Sequence, residues 1–425
     1  MLRQPGLSRR ARWAGGDRVV SQLMAKALAH PKLVSLAAGF TDQQTLPVEP
    51  TQKALEILWS DPARSLAALQ YGTTIGHGPL RELLLERMLQ ADGRTAAEMN
   101  VSIDQVVVTA GSNVLLFLVA DSLLDPDDIV LCGAPSYFVF LGILANLGVR
   151  AVGVETDEQG LIPEAVDEEL ARRAASGELH RVKAIYAVSY FDNPSSVSIS
   201  VERRAALVEL AKRYSGEHRI RIIEDTAYRE LRYSGEDVPS IRSFDPEGDT
   251  VVAAGSFSKS FSPGIRVGWG VLPPDLVGPV LGQKGNIDFG SPNFNQYLMH
   301  TVLAESLYDD HLERIRASYR EKIDATLEAA EQFLAPIEGV SWGRPSGGLY
   351  VWLRLPENVD TGTDGALFDR AVDEGVLYVP GSHCYPSQSR VLPRNMIRLS
   401  FGVPSCQEIR CGVEALGRAI RQVVR

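Results

Sequence analysis

The segment "GSFSKSFSPGIRVGWG", residues 255–270, sets one lysine, Lys259, among small hydroxyl residues, with an arginine, Arg266, seven positions later. An ammonium held in a partly buried site loses pKa and becomes a nucleophilic amine, able to form a Schiff base with a carbonyl. Ser256, Ser258 and Arg266 are the donor types that hold a phosphate dianion, the arginine in bidentate fashion. Gly264 and Gly268 would let the backbone approach a ligand closely. The competing reading is a solvated loop lysine. It accounts for neither the small neighbours nor the apolar run "TVVAAGS" in front of them.

Four other apolar runs end in residues that could act with Lys259. "VVVTAGSN" puts Ser112 and Asn113 at a strand-to-helix turn, where unpaired N–H groups and the positive end of the helix dipole suit a phosphate. A plain N-cap serine is the alternative there. "APSYF" carries Tyr137, either a stacking ring or a core aromatic. "FDNP" carries Asn193, which is also a common turn residue before proline. "IIEDTAY" carries Asp225, a carboxylate that needs a hydrogen bond or a cation after an apolar strand, with Tyr228 three residues on.

One chemistry needs all of these groups together. It takes a lysine for a Schiff base, an anion site, an acid facing a pyridine nitrogen, a stacking ring, and polar groups on a phenolate oxygen. That is the requirement of pyridoxal 5′-phosphate, an electron sink for carbanions. Asp225 is expected to keep the pyridine nitrogen protonated.

The elements that must position these residues alternate along the chain. "DQVVVTAG", "DIVLCGAPSY", "VRAVGVETD", "VKAIYAVSYFDNP", "RIRIIEDTAY" and "TVVAAGSFSK" read as buried strands. "SNVLLFLVADSLLD", "FVFLGILANLG" and "VERRAALVELAKRYS" read as helices between them. Short β-branched runs separated by helices predict an α/β doubly wound, mainly parallel sheet, with functional residues at the carboxyl ends of its strands. After about residue 300 the pattern changes to a long helix, then the strands "GGLYVWLRLP", "VLYVPGS" and "NMIRLSFG", with "GALFDRAVDEG" and a closing helix: a smaller α+β unit. The expected division is an N-terminal arm over 1–45, a large cofactor-binding domain over 46–300 and a small domain over 301–425.

Composition narrows the alternatives. The 425 residues are 45% hydrophobic and 23% charged, with a formal net charge of −10. No clustered basic face suggests nucleic acid. The longest apolar runs fall far short of the roughly 20 residues of a membrane span. Cys132, Cys384, Cys406 and Cys411 form no CxxC pair, and no histidine cluster accompanies them, so no metal site is expected and a reduced, cytoplasmic setting is. No GxGxxG or GxxxxGK[ST] follows a strand. The Arg-rich start "MLRQPGLSRRARW" reads as a flexible tail or, alternatively, a targeting segment.

Across about Leu33 to Phe401 the chain resembles a fold-type I pyridoxal-phosphate-dependent aminotransferase of class I/II. Within that class it is similar to the 2-aminoadipate and aromatic aminotransferase branch, which also supplies the effector domain of MocR-type regulators. "SFSKSFSPGIRVGW" matches the lysine segment, "GSNVLL" the phosphate cup, and "EDTAYREL" the segment whose aspartate meets the pyridine nitrogen and whose tyrosine meets the 3′-oxygen. "LQYGTTIGHGPLRELLLERM" implies that Tyr71 reaches the phosphate in a neighbouring subunit, hence a homodimer. "MIRLSFG" implies that Arg398 grips the substrate α-carboxylate, and "LAAGFTDQQTLP" makes Gly39 a substrate-side residue. The resemblance also implies a cofactor contact for Asn193.

One departure stands out: "FDNPSSVS" has Ser196 where the family has a turn glycine. The expected reaction is transfer of an amino group from an L-amino acid to a 2-oxo acid, with Lys259 as both Schiff-base lysine and general base. The alternatives are another reaction on an amino acid with the same cofactor (decarboxylation, oxidative deamination, elimination or cyclisation) and a cofactor-sensing regulatory module.

Overall fold

The computed structural model describes residues 6–13 and 33–424. The first strand, β1 (Val34–Ser35), pairs with residues 376–377, far along the chain. Eight strands build the main sheet: β2 (Val106–Thr109), β3 (Ile129–Ala134), β4 (Arg150–Asp157), β5 (Gly160–Leu161), β6 (Val182–Val188), β7 (Arg221–Asp225), β8 (Val251–Ser256) and β9 (Gly268–Val271). Their order is β2-β9-β8-β7-β6-β3-β4-β5. The run β4-β3-β6-β7-β8 is parallel throughout; β9 lies antiparallel between β8 and β2, and β5 closes a hairpin on β4. This is the doubly wound, mainly parallel sheet read from the sequence. Burial on both faces explains why its strands are near-continuous apolar runs.

The parallel arrangement brings the carboxyl ends of β3, β6, β7 and β8 to one edge, and β2 joins them there because two antiparallel pairings restore its direction. Strand β9 is a difference from the sequence reading, which placed no strand over residues 268–271. A Cβ at Gly268 would collide with the backbone of Gly111 and Ser112, so this glycine seats β9 against the turn after β2 rather than leaving room for a ligand. Gly264 has no close neighbour beyond Ser262 and is exposed.

A second, antiparallel sheet holds β10 (Ser341–Trp342), β11 (Tyr350–Arg354), β13 (Val379–Pro380) and β14 (Met396–Ser400) in the order β10-β11-β14-β13. The expected strand "VLYVPGS" is thus split: Val376–Leu377 forms β12, which pairs parallel with β1. Segment 34–42 therefore packs with the C-terminal part of the chain. Leu36 N–H donates to Leu377 O, Ser400 N–H donates to Leu36 O, and Asp42 forms a 2.7 Å buried ion pair with Lys322 on the long helix Leu307–Phe333.

Part of the Arg-rich start is structured. Arg9–Trp13 is a short helix, Trp13 lies over Gly148, and Arg10 pairs with Asp121 at 3.1 Å. Residues 1–5 and 14–32 lie outside the described residues.

Candidate active site

The turn after β2 begins the site. Gly111 has φ +93°, a conformation that favours glycine, and the helix Ser112–Leu123 starts directly behind it. The N-cap is therefore Gly111, not a serine, and the first helical N–H groups, beginning at Ser112 and Asn113, face the strand edge unpaired by the helix itself. The Arg266 guanidinium lies where a Cβ on Gly111 would fall, with Nη2 donating to Ala110 O at 3.2 Å. Arg266 Nη1 donates to Ser258 Oγ at 3.3 Å, and Ser256 Oγ donates to Ser258 Oγ at 2.9 Å. One cation, two hydroxyls and one helix start thus converge, which is a built cradle for a dianion.

Lys259 sits in the turn after β8, partly buried, and Nζ donates to Gly39 O at 2.6 Å. Burial lowers its pKa. The neighbouring Arg398 and Arg266 charges lower it further, while Tyr350 opposes them. A buried amine of this kind is the easily deprotonated one that a carbonyl condensation requires.

Asp225 ends β7. Its Oδ1 accepts from Ala227 N–H at 3.0 Å and its Oδ2 from Tyr186 Oη at 3.1 Å. Burial pushes this carboxyl up to about 6 despite both bonds. A cationic partner would relieve that cost. Tyr137 is partly buried near Asn113, 3.5 Å from its Oδ1.

Arg398 lies at the centre of β14, 3% exposed. Nη1 donates to Asn193 Oδ1 at 2.9 Å, Nη2 donates to Ala37 O at 2.8 Å, and the buried Nε has no partner. The guanidinium is 4.4 Å from the centre of the Tyr350 ring and 5.3 Å from that of Phe138. Asn193 Nδ2 donates to Tyr350 Oη at 3.4 Å, and Tyr228 Oη is 3.0 Å from the same oxygen.

The structure thus gathers Gly39, Ser112, Asn113, Tyr137, Asn193, Asp225, Tyr228, Ser256, Ser258, Lys259, Arg266 and Arg398 around one edge of the main sheet. Tyr71 is not among them. It is 81% exposed, its ring edge-on to Phe289 at 5.3 Å. Ser196 takes the left-handed conformation expected of a glycine, φ +56°, and its Oγ donates to Tyr350 O at 2.8 Å. The strain, about 1–2 kcal/mol for a non-glycine residue, is offset by that bond.

The model of the family "Aminotransferase class I and II" matches residues 31–416. The chain belongs to this family. The aromatic-amino-acid aminotransferase 1 of Thermococcus litoralis is 32% identical over 95% of the chain and 91% of its own length. The kynurenine aminotransferase of Pyrococcus horikoshii superposes with a TM-score of 0.89 at 31% identity, over 99% of this chain and 98% of that one. The α-aminoadipate aminotransferase of Thermus thermophilus, solved with N-(5′-phosphopyridoxyl)-L-leucine, gives 0.83 at 29% identity, over 98% of each chain. The protein is a fold-type I aminotransferase that uses pyridoxal 5′-phosphate.

The side chains of this aminotransferase fit that cofactor on their own chemistry. The cradle around Ser258 and Arg266 suits its phosphate, the costly buried carboxylate at Asp225 its ring nitrogen, and the amine of Lys259 its aldehyde. Two neighbours of these groups escaped the sequence reading. Tyr186 comes from the middle of β6 and reads as core. Tyr350 comes from the other sheet, and only the "GG" before it hinted at a close approach. Gly347 and Gly348 seat β11 against Phe191 and Ser196.

Proposed function

We propose that the aminotransferase moves the amino group of an L-amino acid to a 2-oxo acid, with Lys259 holding the cofactor. The observation that carries this reading is the convergence of Lys259 and Arg398 on one short segment, Ala37–Gly39. The catalytic amine and the cation for a carboxylate thereby border the same space. Arg266, Ser258, Ser256 and the helix start at Ser112 and Asn113 would hold the phosphate, Tyr137 the ring face and Asp225 the ring nitrogen. Asn193 and Tyr228 would hold the phenolate oxygen. Bound there, the cofactor supplies an electron sink for the charge left at the substrate α-carbon.

Arg398 would bind the α-carboxylate, with Nε as its unpartnered donor, beside Gly39 on the substrate side. Fixing the carboxylate makes the Cα–H bond, not the Cα–carboxylate bond, the one to break. Lys259 Nζ, kept easily deprotonated by burial, is the base that takes the α-proton and returns it.

The reading includes a homodimer. Leu66, Leu69, Tyr71, Ile287 and Phe289 are large apolar side chains left exposed. A second copy covering them would carry Tyr71 to the neighbouring phosphate cradle. It also includes a large domain over 46–300, a small domain over 301–425, and a cytoplasmic setting, to which the unpaired cysteines Cys132, Cys384, Cys406 and Cys411 are suited. No helix among the described residues is long and apolar enough to cross a membrane.

The test is a single turnover with a reactive amino acid and no acceptor. Transfer leaves the aminated cofactor and one equivalent of 2-oxo acid; release of carbon dioxide or consumption of oxygen would assign another reaction. Borohydride reduction and peptide mapping should place the label on Lys259, and K259A should abolish both label and turnover. A label on another lysine would overturn the assignment.

A further inference from the structure

The hydrogen bonds around Tyr350 form a chain whose direction is fixed from Arg398 through Asn193 to Tyr350 Oη. A guanidinium has no acceptor, so the Asn193 atom that faces Arg398 Nη1 at 2.9 Å must be its oxygen. The amide nitrogen of Asn193 then points at Tyr350 Oη, 3.4 Å away, and can only donate. With one lone pair taken by Asn193, Tyr350 Oη still has its proton to give across the 3.0 Å contact with Tyr228 Oη, in which either hydroxyl can be the donor. When Tyr350 donates, Tyr228 keeps its own proton for a further acceptor. Burial raises the Tyr228 pKa, so that proton stays on the phenol.

Tyr350 has little freedom to do anything else. It is 1% exposed, its ring lies under the Arg398 guanidinium, and its backbone oxygen is held by Ser196 Oγ at 2.8 Å. A phenylalanine would fill the same space and stack equally on the arginine. Only the hydroxyl joins Asn193 to Tyr228.

We propose that Tyr350 is a positioning residue, whose hydroxyl links Arg398 and Asn193 to Tyr228 and aims the Tyr228 proton at the phenolate oxygen of the cofactor. This rests on the reading above that Tyr228 and Lys259 face the cofactor. A phenolate oxygen that accepts firmly from Tyr228 competes less well for the proton on the lysine nitrogen. Loosening Tyr228 therefore lets that nitrogen keep its proton to higher pH. Arg398 and Arg266 keep their charges when position 350 is changed, while Tyr350 itself faces Lys259 and raises its pKa, so direct loss of the Tyr350 hydroxyl would lower the midpoint, opposite in sign to the effect through Tyr228.

The experiment is a pH titration of the visible absorption of the cofactor-loaded enzyme in the parent, Y350F, Y228F and Y228F/Y350F. Y228F should raise the midpoint. Y350F should raise it by less, roughly 10–30% of the Y228F shift, as expected when one bond in a chain strengthens the next by that fraction. In the Y228F background Y350F should raise it no further. A Y350F midpoint equal to the parent's, or an equal shift with and without Tyr228, overturns the proposal while leaving Tyr228 its role. An unshifted Y228F overturns both. A merely space-filling Tyr350 would give Y350F no rise over the parent.

Discussion

Replacing Gly39 with alanine tests how tightly the substrate-side segment is fitted to the site. A Cβ at position 39 would lie 2.9 Å from Tyr350 Oη, 3.8 Å from Tyr350 Cζ and 3.9 Å from Arg398 Nη2. Gly39 does not occupy the left-handed region, so its backbone tolerates alanine and the hydroxyl is the one hard contact. Ordinary packing needs about half an ångström more, and Tyr350 Oη can yield it only by stretching its bond to Tyr228 or to Asn193. Overpacking of this kind costs about 1–3 kcal/mol. As a loss in kcat/KM for the amino donor that is roughly 5- to 150-fold. Y350F removes the offending oxygen and leaves the ring at ordinary contact distance, so G39A should cost far less in the Y350F background. The assay is a double-mutant cycle in kcat/KM. Losses that simply multiply, as for independent sites, or a G39A enzyme equal to the parent, would refute the reasoning.

Three further outcomes are expected. D225N should keep the fold and retain the cofactor yet slow turnover about 100-fold or more, the usual scale for removing one positioned electrostatic group from a reacting centre; near-normal α-proton exchange in D225N would show that Asp225 has another task. Neither Y71F nor K259A homodimers should be fully active, but mixing the two chains should create one intact site per heterodimer, so activity above the Y71F level checks the proposed exchange of Tyr71. Asp192, whose carboxyl burial pushes up to about 7 with the Asp225 charge adding to it, binds a proton in the folded chain that the unfolded chain releases. Its contribution is fully present below the unfolded value and is lost as pH rises through about 7. D192N should therefore gain in urea midpoint over the parent as pH rises from about 5 to about 7 and hold that gain above it, and a constant difference between about pH 5 and 7 would contradict the assignment.

The parts of the site that could be read from the sequence share a physical origin. Lys259, Asp225, Ser112 and Asn193 each follow an apolar run. A parallel sheet delivers the ends of such runs to one edge, so identifying the strands placed these residues together. Tyr350 had no such signal, because it reaches the site from an antiparallel strand of the other sheet. Its neighbours are set by the β11–β14 register and by Ser196, not by local pattern. Strand β9 was missed because Gly-Trp-Gly carries no alternation; it is a strand only because β2 and β8 flank it. Ser196 was legible as a departure but not in its effect. The same turn conformation is kept, and the added hydroxyl ties that turn to β11.

The bond from Arg398 to Ala37 joins residues 361 positions apart. Translation makes that separation a matter of time. The strands of the main sheet are complete once residue 271 has been made, and the phosphate cradle with them. Segment 34–42 must wait, since β1 has no partner until β12 is synthesised and Ala37 none until β14 is. Loop closure over so long a separation is slow compared with local pairing. A growing chain therefore acquires the means to hold a phosphate well before the means to grip a substrate carboxylate. The cofactor, present in solution throughout, can be captured by a nascent chain whose segment 34–42 is still unplaced.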